Sequence, residues 1–111
     1  MRRAIYPRAE DIPVGRANAV SAVALAARWG CNARAAREAV ARLRTQPSPD
    51  GMVILSDTRS AGFWRSNNPE EIRAFIGSME RRARSTFLSL RAARSALGDI
   101  EQANQGRFDL F

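Results

Sequence analysis

The apolar positions of this chain pass from a helical period to a strand period and back, and breaks in the pattern mark its elements. From Ala22 to Trp29 the apolar residues Val23, Leu25, Ala26 and Trp29 predict a short helix. Ser21 stands where an N-cap belongs, and Gly30 supplies the left-handed residue that ends a helix. Asn32 then caps a second helix, Ala33 to Arg44, in which Ala36, Val40 and Leu43 recur at i, i+4 and i+7 as one buried stripe. With that stripe at zero on a wheel of about 100° per residue, Arg34, Glu38 and Ala41 point away from it, and Arg37 and Arg42 sit on its shoulders. The second helix therefore carries a basic outer face.

Upstream, residues 1–9 read as a basic N-terminal segment. Ala9 to Ile12 form a short turn of helix stopped by Pro13 and Gly15, and residues 18–21 are extended. Downstream, the breakers Gln46-Pro-Ser-Pro-Asp-Gly51 predict a loop, Met52 to Leu55 a strand, and Phe63-Trp-Arg the returning strand of a hairpin. Strand alternation sends Phe63 and Trp64 to opposite faces, leaving one of them exposed near the last helix, whereas Trp29 belongs to the core. Ser-Asn-Asn-Pro at 66–69, followed by Glu70 and Glu71, is a helix start. The final helix is expected from Pro69 to Leu97, roughly 43 Å, with a flexible tail at 99–111. Its apolar positions Ile72, Ile76, Met79, Ala83, Thr86, Leu90, Ala93 and Leu97 alternate spacings of four and three, a soft heptad seam flanked by Phe75 and Phe87. Such a helix either pairs with a second copy, making a homodimer, or covers apolar surface of its own chain.

Charge sharpens this picture. All 18 basic residues are arginine, set against 11 acids, for a net charge of +7. That balance favours a polyanionic partner, with double-stranded DNA first. Without histidine and with one cysteine, the chain lacks the residues for an ordinary zinc site, a Ser-His-Asp triad or a Cys-His pair. Phosphate-binding glycine loops are absent too, so no enzyme activity and no cofactor or metal is expected. Cys31 reads as a small half-buried residue in the tight turn, and the acid pairs Glu10-Asp11 and Glu70-Glu71 as partners of helix dipoles. No apolar run is long enough for a membrane span and no signal peptide is evident, so the expected location is cytoplasmic, at the nucleoid when bound.

Helix, glycine turn, helix and two-stranded hairpin is the order of a winged helix-turn-helix. The stretches IPVGRANAVS (12–21), LAARWGCNARAAREAVARLR (25–44), ILSD…GFW (54–64) and NPEEIRAFIGSMERRARSTFLSLRAAR (68–94) together resemble small winged helix-turn-helix proteins found widely in bacteriophages and prophages. The expected fold class is accordingly mainly α with a small β-hairpin. A winged domain would span 10–66 and a long C-terminal helix 67–98. The resemblance implies non-catalytic DNA binding, as a transcriptional regulator or a replication accessory factor. The chain differs from the usual pattern in its Ala-rich second helix and its longer, Pro-rich loop before the hairpin.

On this reading, helix 33–44 enters the major groove and the wing at 57–62 meets the backbone. Arg34 and Arg37 are the candidates for base contact, since a guanidinium binds guanine through two hydrogen bonds; pairing with Glu38 is the competing use. Arg42 and Arg59 are phosphate candidates, and Arg16 serves a phosphate or a structural hydrogen bond. Asn32 at the helix start and Ser60 beside Arg59 complete the set. A second reading takes the chain as a protein–protein adaptor. The terminal Phe108-Asp-Leu-Phe111 resembles the end of the motif by which bacterial replication proteins dock on the sliding clamp, with Phe108, Leu110 and Phe111 as the contacts; packing of the two Phe on the chain's own surface competes.

Overall fold

A computed structural model of the chain describes residues 6–48, 50–56 and 62–109, and side chains as far as Gly106. Residues 1–5, residue 49, residues 57–61 with Arg59 and Ser60, and the terminal Leu110 and Phe111 lie outside the described residues, as does the side chain of Phe108.

The helical pair forms where local chemistry places it. The Ser21 hydroxyl accepts the Ala24 N–H at 3.1 Å and starts α1, Ala22–Trp29. Gly30 adopts φ 66°, and its N–H and that of Cys31 both donate to the Ala26 carbonyl, which closes the helix. Asn32 Oδ1 then accepts the Ala35 N–H at 2.8 Å and starts α2, Ala33–Arg44. Leu25, Ala26 and Trp29 of α1 meet Ala36, Ala39 and Val40 of α2 in one buried cluster. Ala39 widens the stripe read from the sequence. Cys31 is exposed rather than half-buried, because the tight turn carries it out of the helix contact.

A three-stranded antiparallel sheet in the order β1-β3-β2 packs with the pair: β1 is Val20–Ser21, β2 Val53–Ser56 and β3 Gly62–Ser66. Val20 pairs with Phe63 and Leu55 with Trp64. The central strand begins at glycine for a steric reason: a Cβ on Gly62 would lie 3.0 Å from the Ala19 Cβ and 3.3 Å from the Val20 carbonyl oxygen. Beyond β1, the chain at 13–15 occupies the same edge of β3. The Arg65 N–H donates to the Pro13 carbonyl at 2.8 Å, and the Gly15 N–H donates to the Arg65 carbonyl at 3.0 Å. This docking seats Ile12, which is fully buried, in the core. The expected first helix is a single 3-10 turn, Ala9–Asp11.

Phe63 and Trp64 do point to opposite faces, but neither is left exposed. Phe63 packs half-buried on the helical core, while Trp64 is buried together with its cross-strand neighbour Leu55. The Trp64 indole N–H reaches Glu71 Oε2 at 3.5 Å, and the Ser66 hydroxyl donates to the same oxygen at 2.6 Å. Glu71 thus ties the start of the last helix to β3 instead of serving only its dipole.

That helix, α3, runs Pro69–Asp109 without a break. Asn68 Oδ1 caps it through the Glu70 N–H at 2.9 Å. The expected stop at Leu97 and the flexible tail at 99–111 are corrected over 98–109, since the helix passes through Gly98 and Gly106. Each helical glycine costs about 1 kcal/mol relative to alanine, and the surrounding Ala96, Leu97, Glu101, Gln102 and Ala103 are good helix formers. The structure divides into two compact units, Met1–Phe75 and Ile76–Phe111. The first turns of α3 therefore belong with the sheet and helical pair, because Glu71 and Phe75 are bonded or packed there. Among the described residues no helix is long and apolar enough to cross a membrane.

Candidate nucleic-acid interface

The outer face of α2 follows from burial of its inner face. Once Ala36, Ala39 and Val40 are buried, a helix of 3.6 residues per turn must present Arg34, Arg37, Glu38 and Arg42 to solvent, and all four are exposed. Arg34 Nε lies 3.5 Å from Glu38 Oε1, an i, i+4 pair in which both side chains are well solvated. Exposed pairs of this kind contribute only about 0.3–0.5 kcal/mol, so the contact leaves Arg34 free to exchange partners. Arg37 and Arg42 make no ion pair among the described residues. Arg34 and Arg37 point outward from the first turns of the helix and Arg42 from its last turn.

Other predicted contacts are already engaged. Asn32 uses one acceptor site of its carbonyl oxygen on the α2 cap, which fixes the side chain against the helix start. Arg16 lies in the 3-10 turn Arg16–Asn18 with its guanidinium 5.6 Å from the Trp64 ring centre. That contact places a cation over an aromatic face. Arg59 and Ser60 lie outside the described residues.

Three further arginines hold the fold, and sequence reasoning gave none of them a role. Arg44 donates from Nε to the Ile54 carbonyl at 3.1 Å and from Nη2 to the Ser56 hydroxyl at 2.8 Å. Its guanidinium also lies 5.6 Å from the Phe63 ring centre and 4.9 Å from that of Phe75. One signal was present: Arg44 stands one turn beyond Val40 on the flank of the buried stripe. Arg65 donates to the Ile12 carbonyl at 2.7 Å and to Asp50 at 2.5 Å. Arg28 donates to Asp11 Oδ1 at 3.1 Å.

Asp11 is the hub of that last contact. Its side chain is only 8% exposed and also accepts the Trp29 indole N–H at 2.9 Å and the Arg8 backbone N–H at 3.2 Å. Burial pushes this carboxyl up, but the Trp29 hydrogen bond, the Arg8 N–H and the Arg28 and Arg8 charges outweigh it and hold the group below the usual carboxylate range. Asp50 is lowered as well, by the hydrogen bonds from Ser48 and the Met52 N–H and by the Arg65 charge, against a smaller opposing effect of desolvation. Neither acid belongs to a metal-binding cluster; among the described residues no group of three or more His, Cys, Asp or Glu side chains converges.

The site that emerges is a short helix with three outward guanidiniums on a scaffold braced by other arginines. The chain matches no protein-family model, curated protein or solved structure. Its functional reading therefore rests on this geometry and on charge.

Proposed function

We propose that the chain is a non-catalytic DNA-binding protein. On this reading the α1–α2 pair and the three-stranded sheet act as a winged helix-turn-helix, with α2 in the major groove and the β2–β3 connection on the backbone. The observation that carries the reading is the outer face of α2, where Arg34, Arg37 and Arg42 stand exposed on a helix held by caps at its start and by Arg44 at its end. Such a face is cationic and rich in paired N–H donors, the chemistry that phosphates and guanine edges accept. The net charge of +7 supplies attraction at longer range. A regulator or a replication accessory factor would use the same surface.

The adaptor reading through the C-terminal Phe108-Asp-Leu-Phe111 gains less support. The backbone at Phe108 and Asp109 is helical, so an extended peptide docked in a cleft would first have to unwind the end of α3.

The test is binding to a fluorescent random-sequence duplex between about 50 and 200 mM salt. Five or six phosphate contacts predict a loss of orders of magnitude in affinity over that range. The Arg34→Ala, Arg37→Ala double variant should bind at least about tenfold more weakly, with the fold intact by circular dichroism. Binding that ignores salt, or that the double variant leaves unchanged, overturns the proposal.

A further inference from the structure

The second unit carries an apolar seam open to solvent along its length. Ile76, Leu90, Leu97 and Ile100 are 47%, 44%, 55% and 57% exposed, and every residue from Met79 to Gly106 is exposed. Because α3 does not stop at Leu97, the four-three spacing gains one more position, Ile100. In heptad terms Ile76, Ala83, Leu90 and Leu97 are a positions, and Met79, Thr86, Ala93 and Ile100 are d positions.

The residues flanking the seam show what covers it. The e positions are Arg73, Glu80, Phe87, Arg94 and Glu101, spaced by seven. Read outward from Phe87, each position on one side has the opposite charge of its counterpart on the other. In a parallel pair, e positions face the partner's g positions, here Phe75, Arg82, Ser89 and Ala96, where no opposite charges meet. In an antiparallel pair, e faces e. With Phe87 beside the two-fold axis, Arg73 meets Glu101 of the other copy and Glu80 meets Arg94, each twice by symmetry. The same register places Ile76 opposite Ile100, Met79 opposite Leu97, Ala83 opposite Ala93 and Thr86 opposite Leu90, so each layer joins an a to a d position. Sliding the copies by one heptad either way brings Arg73 onto Arg94 or Glu80 onto Glu101, which repel. Among the described residues none of the four charged side chains makes an ion pair within its own chain.

We propose that α3 pairs with α3 of a second copy as an antiparallel two-helix coiled coil centred on Phe87, with the register set by Arg73–Glu101 and Glu80–Arg94. The pairing requires no nucleic acid and stands apart from the DNA-binding reading. The Arg81-Arg82-x-Arg84 run is compatible with it: Arg81 and Arg84 occupy outer f and b positions, and Arg82 at g sits nearest the uncharged Ala96 of the other copy.

Sedimentation equilibrium of the full chain and charge variants tests this. The wild type should be a dimer at micromolar concentration. Glu80→Arg with Glu101→Arg makes all four flanking sites basic, and Arg73→Glu with Arg94→Glu makes them all acidic. Each double variant alone should associate at least about tenfold more weakly. Mixed one to one, they should form a heterodimer. The fourfold exchange, which swaps every charge and keeps the net charge, should dimerise like the wild type, so a general effect of charge is separated from register. A monomeric wild type overturns the proposal. So does a dimer indifferent to the double substitutions, the behaviour of a parallel pair.

Discussion

At the scale of single residues, the arginines of this chain divide into two populations that composition alone cannot separate. Arg44 and Arg65 hold backbone carbonyls across the fold, whereas Arg34, Arg37 and Arg42 face water. Arg44→Leu keeps the bulk and removes the donors, leaving the Ser56 hydroxyl without that partner. A loss of about 2 kcal/mol in urea denaturation is expected. Arg44→Lys should rescue little, since one ammonium cannot reproduce the planar contact with Phe63 and Phe75. Asp11 gives a pH signature. Its carboxyl is lowered in the folded chain, so its stabilising effect is complete above the unfolded-state value of about 3.9 and fades as pH falls through the lower folded value. Thermal melts from about pH 6 down to pH 3 should show a fall in stability that Asp11→Asn flattens. The capping roles of Ser21 and Asn32 were legible because a cap involves residues three apart. The roles of Arg44 and Asp11 were not, because the partners of Arg44 lie ten to thirty-one positions away and Arg28 and Trp29, which donate side-chain hydrogen bonds to Asp11, lie seventeen and eighteen.

Among the elements, α2 depends on its two ends. Asn32→Ala removes the acceptor of the Ala35 N–H and should cost about 1 kcal/mol of stability. Because Asn32 spends its oxygen inside the helix, the same variant should change DNA affinity far less than Arg37→Ala, a contrast that fluorescence titration resolves. Gly30→Ala places a Cβ in the left-handed region and should cost roughly 1–2 kcal/mol, read by chemical denaturation. The boundaries of α1 and α2 were legible to the residue, since polar caps and a left-handed glycine act within one turn. The C-terminal end of α3 was not. Glycine is a strong stop where the chain must reverse, yet at Gly98 no cap or turn takes over, and its cost is absorbed by a helix of 41 residues. Seen at full length, the seam gains Ile100 and its flanking charges gain Glu101, without which the antiparallel register could not be read.

For the whole molecule, two surfaces differ in chemistry: the outer face of α2 is cationic, and α3 carries an apolar seam with alternating flanking charges. Each is testable without the other, the first through salt and duplex DNA, the second through mass and charge exchange. The sequence by itself determined the helical pair, its caps, the apolar stripe of α2 and the net charge, because periodicity and capping are properties of neighbouring residues. It also contained the heptad spacing of α3 as far as Leu97. Only the tertiary structure decided which arginines brace the fold and which face solvent. Sheet register brings Arg44 to Ile54 and Ser56, and the edge pairing of residues 13–15 with Arg65 buries Ile12; such contacts join segments that sequence distance does not relate. Burial then sorts chemically identical guanidiniums into struts and solvent-facing groups, and that sorting is a property of the folded chain.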